Sequence, residues 1–380
     1  MTVALLLAAV TATATPARRC AAAEPWTHWQ RYSARFITND GRVVDRTAGD
    51  RSTSEGQAYA LFFSLVANDK KQFQHVYNWT QNNLAQGSLS ENLPAWLWGH
   101  APDGAWKVLD PNSASDADVW TAYALLEAGR LWHEPRYAKA GEALLRNVAS
   151  HEVQTLPGLG PVLLPGAAGF EVEAGQAWRL NPSYLTLQLF RRFATVQPSG
   201  EWDAVVASSI RVLNESATDG IVPDWTLYRL GEGFRQDPVQ PAVCSYDAVR
   251  VPLWLGMLPA DDSLRKEFGP ALSALLARWH TDGALPERIA CQPPHSGSGA
   301  APPGFAAALL PQAWAVHDTA SVAAIEARLA GQLKDGLYGQ PPAYYDQNLI
   351  LFGRGHAVEM FRFAPDGRLE PRWSGACGTR

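Results

Sequence analysis

Apolar residues recur at intervals of three and four along most of the chain, which is the period of an α-helix. The pattern predicts twelve helices, near 24–38, 54–67, 69–85, 114–133, 135–150, 182–196, 199–216, 246–258, 261–280, 303–315, 318–333 and 344–361. Two kinds alternate. One kind is apolar nearly all round, as in Tyr59-Ala60-Leu61-Phe62-Phe63-Ser64-Leu65. That pattern belongs to a helix buried on every side. Its partner is amphipathic and charged, as in Asp69-Lys70-Lys71-Gln72-Phe73, and belongs to an outer layer. The apolar helices begin near residues 55, 115, 182, 246, 304 and 345. A repeat of this kind predicts an all-α, closed double ring of six inner and six outer helices.

The connections are of two kinds as well. Within pairs they are tight turns, at Asn68, at Glu134-Pro135 and near Pro198, which makes partners antiparallel. Between pairs they are longer and rich in Gly, Pro and Trp. Residues 87–113 alternate like a short hairpin around Pro102-Asp103-Gly104, and 153–181 and 218–244 are similar. Residues 291–304 read as a mobile loop. No linker of the kind that separates domains is visible, so residues 24–380 read as one domain.

The first residues form a separate segment. Val3 to Val10 is an apolar run too short to span a bilayer, and Ala21-Ala22-Ala23 offers a small-residue cleavage site before Glu24. The reading is a signal peptide over 1–23, although no Lys or Arg precedes the apolar run. The mature chain is expected to be periplasmic or secreted, with no stable membrane insertion. Cleavage would leave Cys244, Cys291 and Cys377, an odd number with no zinc-site spacing. One disulfide is possible among them, and the sequence does not select the pair.

Composition narrows the partners. The balance of 32 basic and 37 acidic residues, net −5, carries no basic stripe and argues against a nucleic-acid partner. The 15 Trp residues suit either a large core or stacking platforms for sugar rings.

Chemistry-capable residues gather where the apolar helices start. The starts read Ser54-Glu55-Gly56-Gln57, Ser115-Asp116-Ala117-Asp118, Asn181-Pro182-Ser183-Tyr184, Ser245-Tyr246-Asp247-Ala248 and Tyr344-Tyr345-Asp346-Gln347-Asn348. With alternate helices parallel, Glu55, Asp116, Asp118, Asp247 and Asp346 line one mouth of the ring. Each motif alone reads as a capping box or a dipole-favoured acid. Together they recur on buried helices, where charges cost energy unless paired or used. Carboxylates in an aromatic-lined groove suit glycoside hydrolysis, which needs one acid to protonate the leaving oxygen and a second carboxylate to activate water or attack. The acid needs a raised pKa, so Glu55 in that role should be desolvated or close to another carboxylate. Nucleophile-elbow, phosphate-loop and dinucleotide motifs are absent, as is a His-x-x-x-His metal spacing.

These residues resemble glycoside hydrolase family 8, and within it the endoglucanases associated with bacterial cellulose synthase complexes. The resemblance runs from about Trp26 to Phe361. It is carried by Ala114-Ser115-Asp116-Ala117-Asp118, by Thr53-Ser54-Glu55-Gly56-Gln57-Ala58-Tyr59, by Trp178-Arg179-Leu180-Asn181-Pro182-Ser183-Tyr184 and by Ser245-Tyr246-Asp247-Ala248-Val249-Arg250. It implies an (α/α)6 barrel and an inverting mechanism with no cofactor and no metal. It further implies Glu55 as general acid, Asp247 as general base and Asp116 as the holder of the distorted sugar. Tyr184 would position the attacking water, Arg250 would orient groups nearby, and Asn181 would join them in binding substrate. Trp96, Trp98, Trp106, Trp178 and Trp225 are candidate stacking platforms. Subgroups of the family differ in where the base sits, which leaves Asp224 as a fallback.

The leading expectation is an endo-β-1,4-glucanase acting on cellulose chains, functionally associated with a cellulose synthase complex. Xylan and chitosan are alternative substrates for the same fold. A non-catalytic glucan-binding protein would keep the aromatics without needing Glu55 and Asp247 together. A polysaccharide lyase would want a basic groove, and none stands out.

Overall fold

A computed structural model describes residues 26–375. The signal-peptide reading and Cys377 lie outside these residues. The described chain forms the expected (α/α)6 arrangement. Inner helices Ser54–Val66, Ser115–Trp132, Leu187–Val196, Arg250–Gly256, Leu310–Ala315 with Pro303–Ala308, and Tyr344–Ala357 follow one another round the ring. Contact between Tyr344–Ala357 and Ser54–Val66 closes it. Outer helices Lys70–Asn83, Pro135–His151, Trp202–Glu215, Gly269–Asp282 and Thr319–Ala330 alternate with them, and Thr27–Phe36 packs against Tyr344–Ala357.

The burial pattern follows the sequence pattern. In Ser54–Val66 every residue except Glu55 is buried, and all seven residues of Arg250–Gly256 are buried. Outer helix Lys70–Asn83 buries only Phe73, Val76, Trp79 and Thr80. Helices approach closely, inner to inner and inner to outer, where side chains are small. A Cβ on Gly353 would lie 2.0 Å from the Ala307 carbonyl oxygen, and one on Gly129 would lie 2.6 Å from Ala138 N.

Four expected helices are shorter or broken. Residues 182–196 begin as a 3-10 turn over Pro182–Tyr184, and the α-helix starts only at Leu187. Residues 246–249 form turns before Arg250–Gly256. Residues 261–280 split at Phe268, ahead of Gly269-Pro270, and 303–315 split at Leu309, ahead of Pro311. Proline fits the first turn of a helix and breaks one further in.

Aromatic rings plug the ring of helices. Phe62, Trp120, Trp254 and Phe352, from four inner helices, meet with centroids 4.9–5.3 Å apart, and Tyr59 lies edge-on 5.0 Å from Phe352. Such pairs each add about 0.5–1.5 kcal/mol beyond the area they bury. Eight of the fifteen tryptophans are buried, so the core accounts for about half of the unusual Trp content.

Short sheets rim the end where the inner helices start. Ser52–Thr53, Leu97–His100 and Trp106–Asp110 form one, with Ser52 opposite Trp98. Glu171–Glu173, Ala177–Leu180, Thr226–Arg229 and Gly233–Gln236 form another. The 291–304 segment, expected as a mobile loop, supplies Gly297–Ser298 to a sheet with Arg288–Ala290 and Val243–Cys244. A further hairpin, Phe361–Phe363 with Leu369–Pro371, packs at the other end of the ring, where Tyr123 Oη donates to the Gly367 carbonyl at 2.7 Å. Among the described residues no helix is long and apolar enough to cross a membrane.

Candidate active site

One guanidinium organises the mouth of the barrel. Arg250 opens its helix and is 1% exposed. Its Nη1 donates to Glu55 Oε2 at 2.6 Å, to Asp116 Oδ2 at 2.9 Å and to Tyr59 Oη at 3.0 Å. Its Nη2 donates to Asp247 Oδ1 at 2.8 Å and to Ser183 Oγ at 3.0 Å. The ring of Tyr184 lies 5.5 Å from the guanidinium carbon. Four of the motif blocks singled out in the sequence therefore converge on one side chain.

The helix starts do not behave as capping boxes. Thr53, not Ser54, caps its helix by accepting from Gly56 N at 3.1 Å. Among the described residues Ser54 Oγ and Ser115 Oγ have no hydrogen-bond partner. Gln57 is turned away, bonding Val43 N, the Gly41 carbonyl and Thr80 Oγ1. Glu55 and Asp116 are thus held by Arg250, Asp116 also accepting from Ala117 N at 2.8 Å through its other oxygen.

The electrostatics single out Glu55. Burial over the aromatic plug raises its pKa. Arg250 opposes this, while Asp116 and Asp247 reinforce it, and the balance is about 7. Both conditions expected of a general acid, desolvation and a nearby carboxylate, are met despite the helix N-terminus. About a fifth of the Glu55 side chain stays exposed, and 29% of Asp247, against 5% of Asp116. Burial also raises Asp116, against the pull of Arg250.

Asp224, the fallback base, is committed elsewhere. Its Oδ1 accepts from Ser245 N and Ala248 N, both at 2.8 Å, and its Oδ2 accepts from Ser245 Oγ. It folds the turn that presents Asp247. Asn181, expected to bind substrate, is 2% exposed. Its Oδ1 accepts from Ser183 N and Ser183 Oγ, and Ser183 in turn faces Arg250, so Asn181 acts through that chain. Arg250 likewise has no open surface for a sugar. Trp178 corrects another expectation. It is 2% exposed and packs against Tyr228 beneath its sheet, which makes it a core residue. Asp118 and Asp346, expected at the mouth, are buried, and Asp346 accepts from Gly304 N.

Two aromatic surfaces remain. Trp98 and Trp106 stack with centroids 5.3 Å apart, and Arg42 lies 4.4 and 4.5 Å from their ring centres. Trp106 is 46% exposed. On the other surface Trp225 lies parallel to Phe170 and 6.3 Å from Tyr184. Half-buried Trp96 fixes the backbone between, accepting from Ser54 N and donating to the Asn112 carbonyl. Tyr59 and Ser183, though inside the quoted motifs, and Phe170 were given no site role from the sequence. Tyr59 was findable, because residues four apart share a helix face with Glu55. Cys244 and Cys291 are buried free thiols.

A buried acid with its pKa raised to about 7 and a second, partly exposed acid, held on one scaffold between aromatic surfaces, fit a glycoside hydrolase. Comparison with known proteins agrees. The sequence profile of Glycosyl hydrolases family 8 matches residues 2–358. An endoglucanase of Xanthomonas axonopodis pv. citri (strain 306) is 48% identical over 353 residues, 92% of this chain and 90% of that protein. An endoglucanase of Escherichia coli (strain K12) is 41% identical over 362 residues, 94% of each. The crystal structure of endo-1,4-D-glucanase from Vibrio fischeri ES114 superposes with a TM-score of 0.82 at 38% identity, covering 92% of this chain and 99% of that one. The chain belongs to glycosyl hydrolase family 8.

Proposed function

We propose that this protein is an endo-β-1,4-glucanase that cleaves with inversion. Glu55 protonates the leaving oxygen, Asp247 takes the proton of the attacking water, and Asp116 holds the sugar at the cleavage point. Tyr184, above Arg250, bounds the space for that water. The observation that carries this reading is the shared guanidinium. It keeps Glu55 and Asp247 on different nitrogens, so they do not pair directly, while burial and the neighbouring carboxylates, against the pull of Arg250, raise the pKa of Glu55 to about 7. Inversion needs about 6.5–9.5 Å between the carboxyl groups for a water, against about 5–5.5 Å for retention. The substrate reading is supported by the endoglucanase names of the relatives at 41–48% identity over most of the chain.

Viscosity loss and reducing-sugar release on carboxymethylcellulose test the reaction, with Glu55→Gln as control. A fast viscosity drop, absent in the folded variant, is expected. Cleavage of xylan or chitosan instead would overturn the substrate. Proton NMR of the first product from a cello-oligosaccharide should show the α-anomer, and a β-anomer would overturn inversion.

We further infer that the enzyme is exported and trims nascent glucan during cellulose synthesis. The apolar run Val3–Val10 with Ala21-Ala22-Ala23, and the resemblance of the motif blocks, support this. N-terminal sequencing of the protein from a periplasmic fraction tests export. Restoration of cellulose yield by the wild type but not by Glu55→Gln, in cells lacking the enzyme, tests the role.

A further inference from the structure

Behind Asp116 lie two acids that the reaction does not touch. Asp118 follows two residues later on the same helix, and Glu152 directly follows the outer helix Pro135–His151. Both are fully buried. Glu152 Oε1 accepts from Ser113 Oγ at 2.5 Å, and Ser113 Oγ accepts from Ala167 N at 3.0 Å. The Glu152 carbonyl accepts from Leu164 N at 2.7 Å, and the Pro165 carbonyl accepts from Ser115 N at 3.0 Å. Two helices and the 164–167 segment therefore meet at this point.

The pair lacks donors. Among the described residues, no N–H or O–H of a third residue reaches Asp118 Oδ1, Asp118 Oδ2 or Glu152 Oε2. The two carboxyls face each other, Ser113 is the polar neighbour, and the further charge facing them is Asp116. No cation faces either acid among the described residues. Two ionised carboxylates cannot share a dry contact on those terms.

We propose that Asp118 and Glu152 share a proton, and that this acid pair is a positioning device which locks the start of the Asp116 helix to the outer layer. The bond is O–H···O between the carboxyls, so it exists only while the proton stays. The proton also keeps a second negative charge off the rear of Asp116. Burial pushes Glu152 up to about 8 and raises Asp118 with it, in keeping with a proton held at neutral pH. A folded-state pKa above the unfolded one means that the stabilisation is full in acid and lost as pH rises through about 8.

The positioning role rests on Asp116 belonging to the reaction site, whereas the shared proton does not, and the test separates them. Asp118→Asn and Glu152→Gln each supply an N–H where the proton stood. Melting temperature is followed from pH 6 to pH 9 in a Glu55→Gln background, which removes the titration of Glu55. The parent should lose melting temperature above about pH 7.5, and both double variants should lose markedly less. An equal loss in all three would overturn the shared proton, and so would failure of both amide variants to fold. In the otherwise wild-type enzyme at pH 6, Asp118→Asn should keep kcat within about threefold, while Asp118→Ala should lose about tenfold in kcat with little change in KM. Equal kcat in the two variants would overturn the positioning role and leave the shared proton standing.

Discussion

One helix carries buried charge at both ends, and the two ends are built oppositely. At the start of Ser115–Trp132, three acids, Glu55, Asp116 and Asp247, share the single cation of Arg250. Three turns on, a single acid is shared by two cations. Glu127 is fully buried and accepts from Arg130 Nε at 2.9 Å, Arg192 Nε at 2.6 Å and Leu369 N at 2.8 Å. The lower cluster has donors for both Glu127 oxygens, and it ties the inner helix to its neighbour and to the closing hairpin. In the upper cluster burial, joined by more acids than the one cation can neutralise, raises the pKa of Glu55 to about 7. Surplus donors anchor a charge. Surplus acids keep a proton available, and a hydrolase can deliver it.

The largest effect expected from this contrast is on rate. Glu55→Gln should lower kcat by about 10²–10⁴, as removal of a general acid does. Asp247→Asn should be comparably severe. Neither should lower the melting temperature, because each removes an acid from a site with too many. A Glu55→Gln protein that is inactive only because it is unfolded would break the contrast at once.

Glu127→Ala should do the reverse. It removes the buried acid that two partly exposed arginines share, and breaking such a pair costs up to about 3–5 kcal/mol. Chemical denaturation should show that loss, while kcat at a permissive temperature should stay within about twofold. A kcat loss matching that of Glu55→Gln would mean that the lower cluster also serves the reaction.

The pH profile sharpens the comparison further. Glu55 must be protonated to act, so kcat/KM should fall as pH rises through about 7. The stability sign is the same. Its folded pKa lies above the usual value of 4.5, so its contribution is full below that and lost as pH rises through about 7. Glu55→Gln should therefore gain melting temperature relative to the wild type between about pH 4.5 and 7, by roughly 1–3 °C, as expected for a small stability change in a chain of this size. An alkaline limb that persists unchanged in the residual activity of the variant would assign it to another group.

Much of this was legible in the sequence because it is periodic. Helices apolar on every side and helices apolar on one side alternate along the chain, and that alternation carries the double ring. The acids were legible because buried helices begin with them. What escaped is set by contacts across the ring. The periodicity of 246–258 reads as helix, but Asp224 and its three hydrogen bonds fold 245–248 into the turn that offers Asp247. Local spacing could not tell that Asp118 turns back to Glu152 while Asp116 reaches Arg250, since both sit in the same first turn. Trp178 and Trp106 read alike as loop tryptophans, and only the layering of the sheets buries one and leaves the other open.

That last difference sets the smallest and most specific prediction. Trp106 is 46% exposed and stacks on Trp98 beside Arg42, on the sheet that pairs with Ser52 and leads into Glu55. Losing an exposed ring removes little core. It does remove a face on which a sugar ring can lie, worth about 0.5–1.5 kcal/mol, or roughly two- to tenfold in binding. Trp106→Ala should raise KM for long cello-oligosaccharides by that factor. It should leave kcat and melting temperature nearly unchanged, because the proton on Glu55 and the hold of Arg250 are untouched. Trp178→Ala should instead lower the melting temperature, because it empties a buried site. If Trp106→Ala costs kcat and not KM, its ring belongs to the scaffold that holds Glu55 in place, and the line between binding surface and charged core runs nearer the rim than the exposures indicate.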